Sequence, residues 1–540
     1  MKKKSTTFKA FLAIMLVATI LPWNVASAQG KQAAFDPFEK SINEVSYALN
    51  NNQTTSEELV EYYLKRIEAF DDQGPTINAV TMINDNAIEQ AKALDAERKA
   101  KGPRSELHGI PFVVKDNIDV VGMPTTAGSV ALKNEYPSKN SFVVQKLIDA
   151  GAIVIGKTNM SELAASYGRL GYSSFGGQTL NPYNLNRDAS GSSSGSAAAV
   201  AANFAVFGLG TDTSGSVRGP AHTTGLVGIR PTMGLASRTG VVPSSLSLDV
   251  VGPMARSVED ASIILAEMAG KDKADKATKH ANRYARDYAS KLNGNALKHA
   301  RIGVATEFFG DNAEVDAVTN QAIAKMQSMG TEVVPVTFSE QTNYLWTPIL
   351  GPIDTAEFKS QFETYLSTLP AGGPKTLAEV IAILESPEVL NSATPANPAR
   401  VAGLKVALEK ADTLNSKEYK KIVKREVPKT REEIEEIMDD YDLDAIVFPT
   451  MSCPASNTFD KVDPTYVCNA YDTYAAGYMA SATGFPEVTV PAGTVEAGMP
   501  VGISFFGTAF SEQKLLNLAY SFEQATHART VPVHAPNLNQ

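Results

Sequence analysis

Short apolar runs alternate with amphipathic stretches along most of the chain. Thr55 and Glu58 form a capping box, and apolar residues follow at helical spacing, which predicts a helix. A second helix is predicted from about residue 84 to Gly102. Further helices are expected at 142–149 and 197–204, and strands at 110–114, 151–155, 205–210, 301–305, 332–336 and 445–449. Buried strands alternating with helices predict an α/β fold, with a large mixed central sheet covered by helices on both faces.

The domain organisation follows from the absence of any linker-like segment. We expect one domain over residues 29–540, with N-terminal helices at 38–102 and a core at 103–270. The stretch 340–430 is rich in proline in parts and predicts an irregular lid or substrate-facing insertion.

The first 28 residues have the layout of a secretory signal peptide. A cationic start at Lys2, Lys3 and Lys4 precedes an apolar run at 10–21 and the small residues 26–28. A membrane anchor is disfavoured because the run is shorter than the ~20 residues that a spanning helix needs. We therefore expect a secreted protein, extracellular or periplasmic, that does not remain in the membrane after cleavage.

The charge balance excludes some classes of partner. The sequence has 49 basic and 59 acidic residues, a net charge of −10, and loss of the four lysines in the leader would leave −14. Such an acidic protein is not expected to bind nucleic acid or anionic membranes. The oligomeric state is left open between a monomer and a homodimer.

The only two cysteines are Cys453 and Cys468. In an exported chain they are candidates for a disulfide, although they could equally be two buried free thiols. Neither has neighbours spaced like metal ligands, so no metal site is predicted.

Two segments of small residues are candidates for chemistry. Residues 188–196, Asp-Ala-Ser-Gly-Ser-Ser-Ser-Gly-Ser, lead directly into an alanine-rich helix, where a flexible linker is not expected. Residues 211–218 follow a predicted strand and place Ser216 in a tight turn, the position that an exposed nucleophile needs. Amides of Thr213, Ser214, Gly215 and Ser216 are candidates for an oxyanion hole.

Lys115 closes the apolar run at 110–114, which is unusual for a lysine. Taken alone, the position favours an amine that reaches solvent from the strand end, with Asp116 as its partner. A buried amine would behave differently, because burial disfavours the charged form and lowers the pKa of a lysine. Such a lysine can act as a base near neutral pH.

Together these segments resemble the amidase signature family, in particular its exported, peptide-amidase-like branch. The resemblance rests on the blocks at 109–116, 191–199 and 210–218, in that order. Similar blocks at 156–162, 228–232, 252–256 and 484–502 extend it over roughly residues 40–530.

The resemblance implies an amidase with a Ser-Ser-Lys triad and no cofactor. Carried over position by position, Lys115 is the base, Ser192 the bridging serine and Ser216 the nucleophile. Family members hold the bridging serine after a cis peptide bond, here Gly191-Ser192. The implied substrate is a small-molecule or peptide amide, cleaved through an acyl-enzyme.

The sequence departs from the commonest family pattern at three positions. Ser190, Ser194 and Ser214 stand where glycine is more usual. Serine costs little there if the local φ is negative, and more if it is positive.

The sequence also leaves other functional interpretations open. Gly191 to Gly195 also match the nucleophile elbow of α/β-hydrolases, which would nominate Ser193 with a late histidine, His527 or His534. That elbow needs a buried strand immediately before it, whereas 181–187 predict a loop. His222 is expected to pack or to line a pocket. The chain could also be a non-catalytic binding protein or an amidotransferase A-type subunit.

Overall fold

The organising element of the fold is a mixed sheet of eleven strands, seen in a computed structural model that describes residues 35–410 and 413–538. Its order is β1-β3-β2-β8-β10-β9-β14-β15-β13-β11-β12, and four short strands form two separate pairs, β4-β5 and β6-β7. The strands are β1 (Val80–Ile83), β2 (Pro111–Lys115), β3 (Ile153–Thr158), β4 (Tyr172–Ser173), β5 (Gly177–Gln178), β6 (Leu180–Asn181), β7 (Asn184–Asp188), β8 (Phe207–Asp212), β9 (Val227–Arg230), β10 (Val250–Ala255), β11 (Arg301–Ala305), β12 (Glu332–Val336), β13 (Ala445–Pro449), β14 (Glu487–Thr494) and β15 (Pro500–Phe506).

Sixteen α-helices lie around the sheet within the described residues. They are α1 (Ile42–Asn50), α2 (Ser56–Ile67), α3 (Ala87–Lys101), α4 (Phe142–Asp149), α5 (Ser194–Ala201), α6 (Arg218–Thr224), α7 (Val258–Met268), α8 (Ala313–Ser328), α9 (Gly351–Thr368), α10 (Leu377–Leu384), α11 (Pro387–Leu390), α12 (Pro398–Glu409), α13 (Lys417–Lys421), α14 (Val427–Asp440), α15 (Tyr478–Thr483) and α16 (Glu512–Thr526). The predicted α/β class, with a large mixed sheet among helices, is confirmed.

Strand direction brings the candidate residues to one edge of the sheet. β2 lies between β3 and β8 and is parallel to both, so the carboxyl ends of these three strands meet. Lys115 ends β2 and Asp212 ends β8, and both are fully buried. The turn that carries Ser216 follows directly after Asp212.

The alanine-rich segment forms α5, which is buried along its whole length. At Gly195 an added Cβ would lie 2.3 Å from the carbonyl oxygen of Ala79 and 2.5 Å from the amide nitrogen of Asn159. Small residues in this block therefore serve close packing of the helix under the sheet. The helix begins three residues earlier than predicted.

The segment 340–430 differs from the irregular lid that we predicted. It consists mainly of the helices α9 to α14, although residues 411–412 lie outside the described ones. Thr376 and Glu379 form a capping box at the start of α10, whose buried Leu377, Val380, Ile381 and Leu384 recur at helical spacing. The amphipathic signal was therefore in the sequence, and four of the prolines, Pro352, Pro387, Pro398 and Pro428, lie at the first or second position of a helix.

Residues 181–187 are also not the loop that we predicted. β6 and β7 form a small antiparallel hairpin there, separate from the central sheet. The serine-rich turn therefore follows a strand of a two-stranded hairpin, which is not the buried central strand that a nucleophile elbow requires.

Cys453 and Cys468 form a disulfide, which decides between the bridged and the free thiols that the sequence left open. The predicted signal peptide lies outside the described residues. Within those residues, no helix is both long and apolar enough to cross a membrane, and no group of three or more potential ligands could hold a metal ion.

Candidate active site

Lys115 is completely buried at the end of β2 and contacts oxygen atoms on two other segments. Its Nζ lies 2.8 Å from Ser192 Oγ and 2.8 Å from Thr211 Oγ1. The carbonyl oxygen of Thr211 is 3.3 Å away. The interpretation of Lys115 as an amine that reaches solvent beside Asp116 is wrong, because Asp116 forms an ion pair with Lys157 at 3.0 Å.

Burial sets the electrostatics of Lys115. Desolvation lowers its pKa to about 7, and the negative charges of Asp212 and Asp249 oppose that shift. No carboxylate in the described part of the chain forms an ion pair with this amine. A substantial fraction is therefore neutral at neutral pH.

The three contacts of Nζ match the valence of a neutral amine. A neutral amine has two N–H donors and one lone pair. The two oxygens of Thr211 can accept both N–H groups. In a neutral amine bonded in this way, the lone pair is left for the third contact, where Nζ would accept the Ser192 hydroxyl proton instead of donating to Oγ. A charged ammonium could donate to the same three oxygens, so protonation does not require a change in the partners.

The two serines lie on separate turns that line one cavity. Ser192 precedes α5 and follows a cis Gly191-Ser192 peptide bond, as the resemblance implied. Ser216 precedes α6, and its carbonyl oxygen accepts the amide of Ser193 at 3.3 Å. Among the described residues, no hydrogen bond joins the hydroxyls of Ser192 and Ser216. Such contacts are often long in the absence of substrate.

A buried ionic cluster holds the turn of Ser216. Asp212 accepts the amides of Gly215 at 2.9 Å and Val217 at 3.1 Å. It also forms ion pairs with Arg218 at 2.9 Å and Arg230 at 2.7 Å. These guanidinium groups hold the pKa of Asp212 well below its usual range despite its burial. The carboxylate therefore stays charged and fixes the turn.

The predicted oxyanion donors divide into two groups. The amide of Gly215 is already used by Asp212, so it is not free to receive a substrate oxygen. The amides of Ser214 and Ser216 have no acceptor in the described residues, and both residues line the cavity. Thr213 also lines the cavity, and its hydroxyl donates to Asp249 at 2.6 Å.

The three serines that replace the usual glycines have different backbone geometries. Ser190 has a φ of 60°, in the left-handed region where glycine is favoured, whereas Ser194 and Ser214 are not in that region. The cost anticipated from the sequence therefore falls on Ser190 alone. Its hydroxyl contacts that of Tyr474.

The cavity above the serines has a volume of about 600 Å³. One wall of the cavity is aromatic and acidic, and no lysine, arginine or histidine is among the described residues that line the cavity. The wall comprises Tyr167, Trp346, Asp354, Tyr471, Asp472, Tyr474 and Tyr478.

The histidines do not approach the serines. His222 is buried and accepts the amide of Gly502 at 3.0 Å through Nδ1, and burial lowers its pKa to about 4. It therefore packs, as expected. His527 and His534 do not line the cavity. The arrangement proposed for a nucleophile elbow at Ser193 thus lacks a histidine, and Ser193 Oγ instead donates to the carbonyl oxygen of Thr211.

Sequence analysis missed two residues that act on these turns. Asp249, immediately before β10, accepts the Thr213 hydroxyl and the amides of Ser244 and Ser245, and burial raises its pKa to about 7. Tyr474 reaches the turn of Ser192 from more than 280 residues downstream. Neither belongs to a recognisable local motif, so only the fold reveals them.

Comparison with known proteins gives the family. The family model named Amidase matches residues 58–516. The chain belongs to the amidase family. A probable amidase from Arabidopsis thaliana is 34% identical, with 96% of each chain covered. The A-type subunit of the glutamyl-tRNA(Gln) amidotransferase of Thermoanaerobacter pseudethanolicus is 33% identical over 92% of this chain and 98% of its own.

A solved structure is also similar. The native peptide amidase from Stenotrophomonas maltophilia is 36% identical, with a TM-score of 0.82, and the match covers 93% of this chain and 99% of that one. This amidase is therefore an amide-hydrolysing enzyme, and its fold is that of the amidase signature enzymes, as the sequence predicted.

Proposed function

We propose that this amidase is a serine hydrolase in which Lys115 activates Ser216 through Ser192. The observation that carries the proposal is the position of Lys115 Nζ, which is fully buried, has no carboxylate partner among the described residues and lies 2.8 Å from Ser192 Oγ. A serine hydroxyl is a weak nucleophile and needs an adjacent base. A neutral amine that faces the bridging hydroxyl meets that need.

The reaction has two stages in this proposal. Lys115 takes the proton of Ser192, Ser192 takes that of Ser216, and Ser216 Oγ attacks the carbonyl carbon of the amide. The amides of Ser214 and Ser216 stabilise the oxyanion. The proton returns through Ser192 to the leaving nitrogen as the C–N bond breaks. Water then attacks the acyl carbon while Ser192 and Lys115 take its proton. The ester bond to Ser216 breaks, the proton returns through Ser192 to Ser216 Oγ, and the carboxylic acid leaves.

The substrate is a carboxylic acid amide that is bound against the aromatic wall. The proposed class includes peptides with a C-terminal amide, as well as small aliphatic or aryl amides. The similarity to a peptide amidase supports the first of these. The peptide or acyl portion would lie along Trp346 and Tyr478, because aromatic side chains provide large apolar contact surfaces.

A second candidate is the amidotransferase A-type subunit. It is favoured by the 33% identity to a protein of that kind over most of both chains. That reaction would draw ammonia from glutamine, whose carboxylate would meet two aspartates and no cation among the described residues that line the cavity. The cavity therefore favours neutral or cationic amides.

The decisive experiment combines a substrate panel with covalent labelling. We expect wild type to hydrolyse peptide amides, to be slow on glutamine alone or with tRNA, and to be labelled by a fluorophosphonate at Ser216. Ser216→Ala should lose turnover by about 10³-fold or more, whereas Ser214→Ala should retain most of it. A Ser216→Ala enzyme with wild-type turnover would refute the mechanism. Absence of labelling would favour a binding protein.

We also infer that the protein is secreted, as a monomer or homodimer that binds no nucleic acid. The signal-peptide pattern at 1–28 and the acidic composition support this. The disulfide suits an oxidising compartment. N-terminal sequencing of protein from the culture medium or periplasm should begin near Gln29, and an intact Met1 on cytosolic protein would contradict it.

A further inference from the structure

The side chain of Tyr474 contacts both serine turns at once. Its hydroxyl lies 2.9 Å from the carbonyl oxygen of Gly191 and 3.2 Å from the amide nitrogen of the same residue. Tyr474 Oη donates its single proton to the Gly191 carbonyl and accepts from the Gly191 amide. The Ser190 hydroxyl is its third contact and also lies 3.7 Å from Met451 Sδ.

The ring of Tyr474 packs on the other turn. A Cβ added to Gly215 would lie 2.6 Å from Tyr474 Cδ1, and one added to Gly219 would lie 2.5 Å from Cε1. The ring thus contacts the backbone immediately before Ser216 and at the first turn of α6. Glycine is required at 215 for a second reason, since its φ is +109°.

We propose that Tyr474 is a positioning residue that holds the turn of Ser192 against the turn of Ser216. The carbonyl that it binds belongs to the peptide group that leads into Ser192, so the hydroxyl fixes the orientation of that peptide plane. The ring sets the distance to the nucleophile turn. Proton transfer between two hydroxyls depends on their separation and alignment. This inference rests on the relay through Ser192 proposed above.

The surroundings of Tyr474 hold its side chain and its backbone in place. Burial raises the pKa of Tyr474, so its hydroxyl remains a donor throughout the working pH range. Its own backbone amide donates to Asp472 Oδ1 at 3.0 Å, and Asp472 Oδ2 accepts the hydroxyl of Tyr478 at 2.7 Å. The segment that carries Tyr474 is therefore braced independently of the serine turns.

The test is Tyr474→Phe, which keeps the ring and removes the hydroxyl. The Gly191 amide and carbonyl lose this partner, so we expect kcat to fall about 10-fold or more while KM changes by less than about 3-fold. The rate of fluorophosphonate labelling at Ser216 should fall by a similar factor, because labelling needs the same activated hydroxyl.

Two tyrosines serve as matched controls. Tyr471→Phe removes the hydroxyl of another ring that lines the same cavity, and it should alter KM more than kcat. Tyr288→Phe removes a buried hydroxyl bonded to the Tyr284 carbonyl at 2.9 Å, away from the cavity, and should leave both constants unchanged. If Tyr474→Phe is poorly folded, Ser190→Gly removes one partner and relieves the positive φ. It should give a smaller loss of kcat in the same direction.

A double-mutant cycle separates this inference from the proposed function. In a Ser192→Ala background, Tyr474→Phe should cause little further loss of labelling, because both changes disable the same relay. Ser192→Ala with wild-type activity would refute the relay itself. A strongly impaired Ser192→Ala enzyme, together with a Tyr474→Phe enzyme that has wild-type kcat, would overturn the role of Tyr474 alone. Multiplicative losses in the cycle would also overturn it.

Discussion

Two buried lysines lie at the carboxyl ends of neighbouring strands and have different surroundings. Lys115 ends β2, and Lys157 lies one residue before the end of β3; neither side chain is exposed. Lys157 forms a 3.0 Å ion pair with Asp116, whereas the direct partners of Lys115 within the described residues are the neutral oxygens of Ser192 and Thr211.

The comparison teaches that burial alone does not make a lysine a base. A buried ammonium with a carboxylate partner keeps its charge and serves the structure, since removing one partner leaves the other charge uncompensated. A buried amine without a counter-ion gives up its proton more readily. In this amidase the adjacent Asp116 pairs with Lys157, which leaves Lys115 without a carboxylate partner among the described residues, as the proposed mechanism requires.

The largest expected effect comes from exchanging each lysine for methionine. Lys115→Met should lower kcat by about 10³-fold or more, because the relay loses its base, with only a small change in the free energy of unfolding. Lys157→Met should instead reduce the free energy of unfolding by about 3–5 kcal/mol, since Asp116 is left buried and unpaired. Steady-state kinetics and urea denaturation measure the two effects. If both variants lost kcat and stability to similar extents, the distinction between a catalytic Lys115 and a structural Lys157 would be wrong.

A smaller effect should come from Asp249, whose negative charge raises the pKa of Lys115. Asp249→Asn removes that charge, which is only partly present near neutral pH because burial raises the pKa of Asp249 to about 7. The pKa of Lys115 should therefore fall, and the acid limb of the pH profile should move to lower pH by about half a unit or less. Asp260→Asn is the control, because Asp260 is a buried carboxyl that binds the Ile42 amide and does not act on Lys115. A shift to higher pH in Asp249→Asn would contradict the electrostatic account.

The sequence was most informative where chemistry and local geometry coincide. The resemblance to the amidase signature family nominated Lys115, Ser192 and Ser216 together, since each lies in a short family motif, whereas the residues alone favoured a Lys115 that reaches solvent. Three predicted strands, at 301–305, 332–336 and 445–449, have the observed limits, whereas the other three begin one or two residues later than predicted, because their apolar runs start before the first ladder hydrogen bond. The small residues of the block 188–196 serve both the site and helix packing. The packing role of Gly195 depends on its close approach to Ala79 and Asn159, which the sequence does not show.

The residues that the sequence could not supply are those whose role depends on distant contacts. Tyr474 and Asp249 reach the serine turns only after the sheet has formed, and no periodicity marks them. The counter-ion of Lys157 is a similar case. Asp116 follows β2 and is adjacent to Lys115 along the chain, yet its carboxylate pairs with Lys157 on the neighbouring strand β3, and that contact forms only when the two strands pack together.

The proposed mechanism depends most directly on the charge of the Lys115 amine. Lysine labelled with ¹³C at Cε allows its titration to be followed by NMR, with the signal assigned by its loss in Lys115→Met. Because burial lowers the pKa, the neutral base accumulates as pH rises through about 7. We predict a midpoint near that value and a matching rise of kcat/KM with pH. An amine that stays charged up to about pH 10, as in a solvated lysine, would contradict the account.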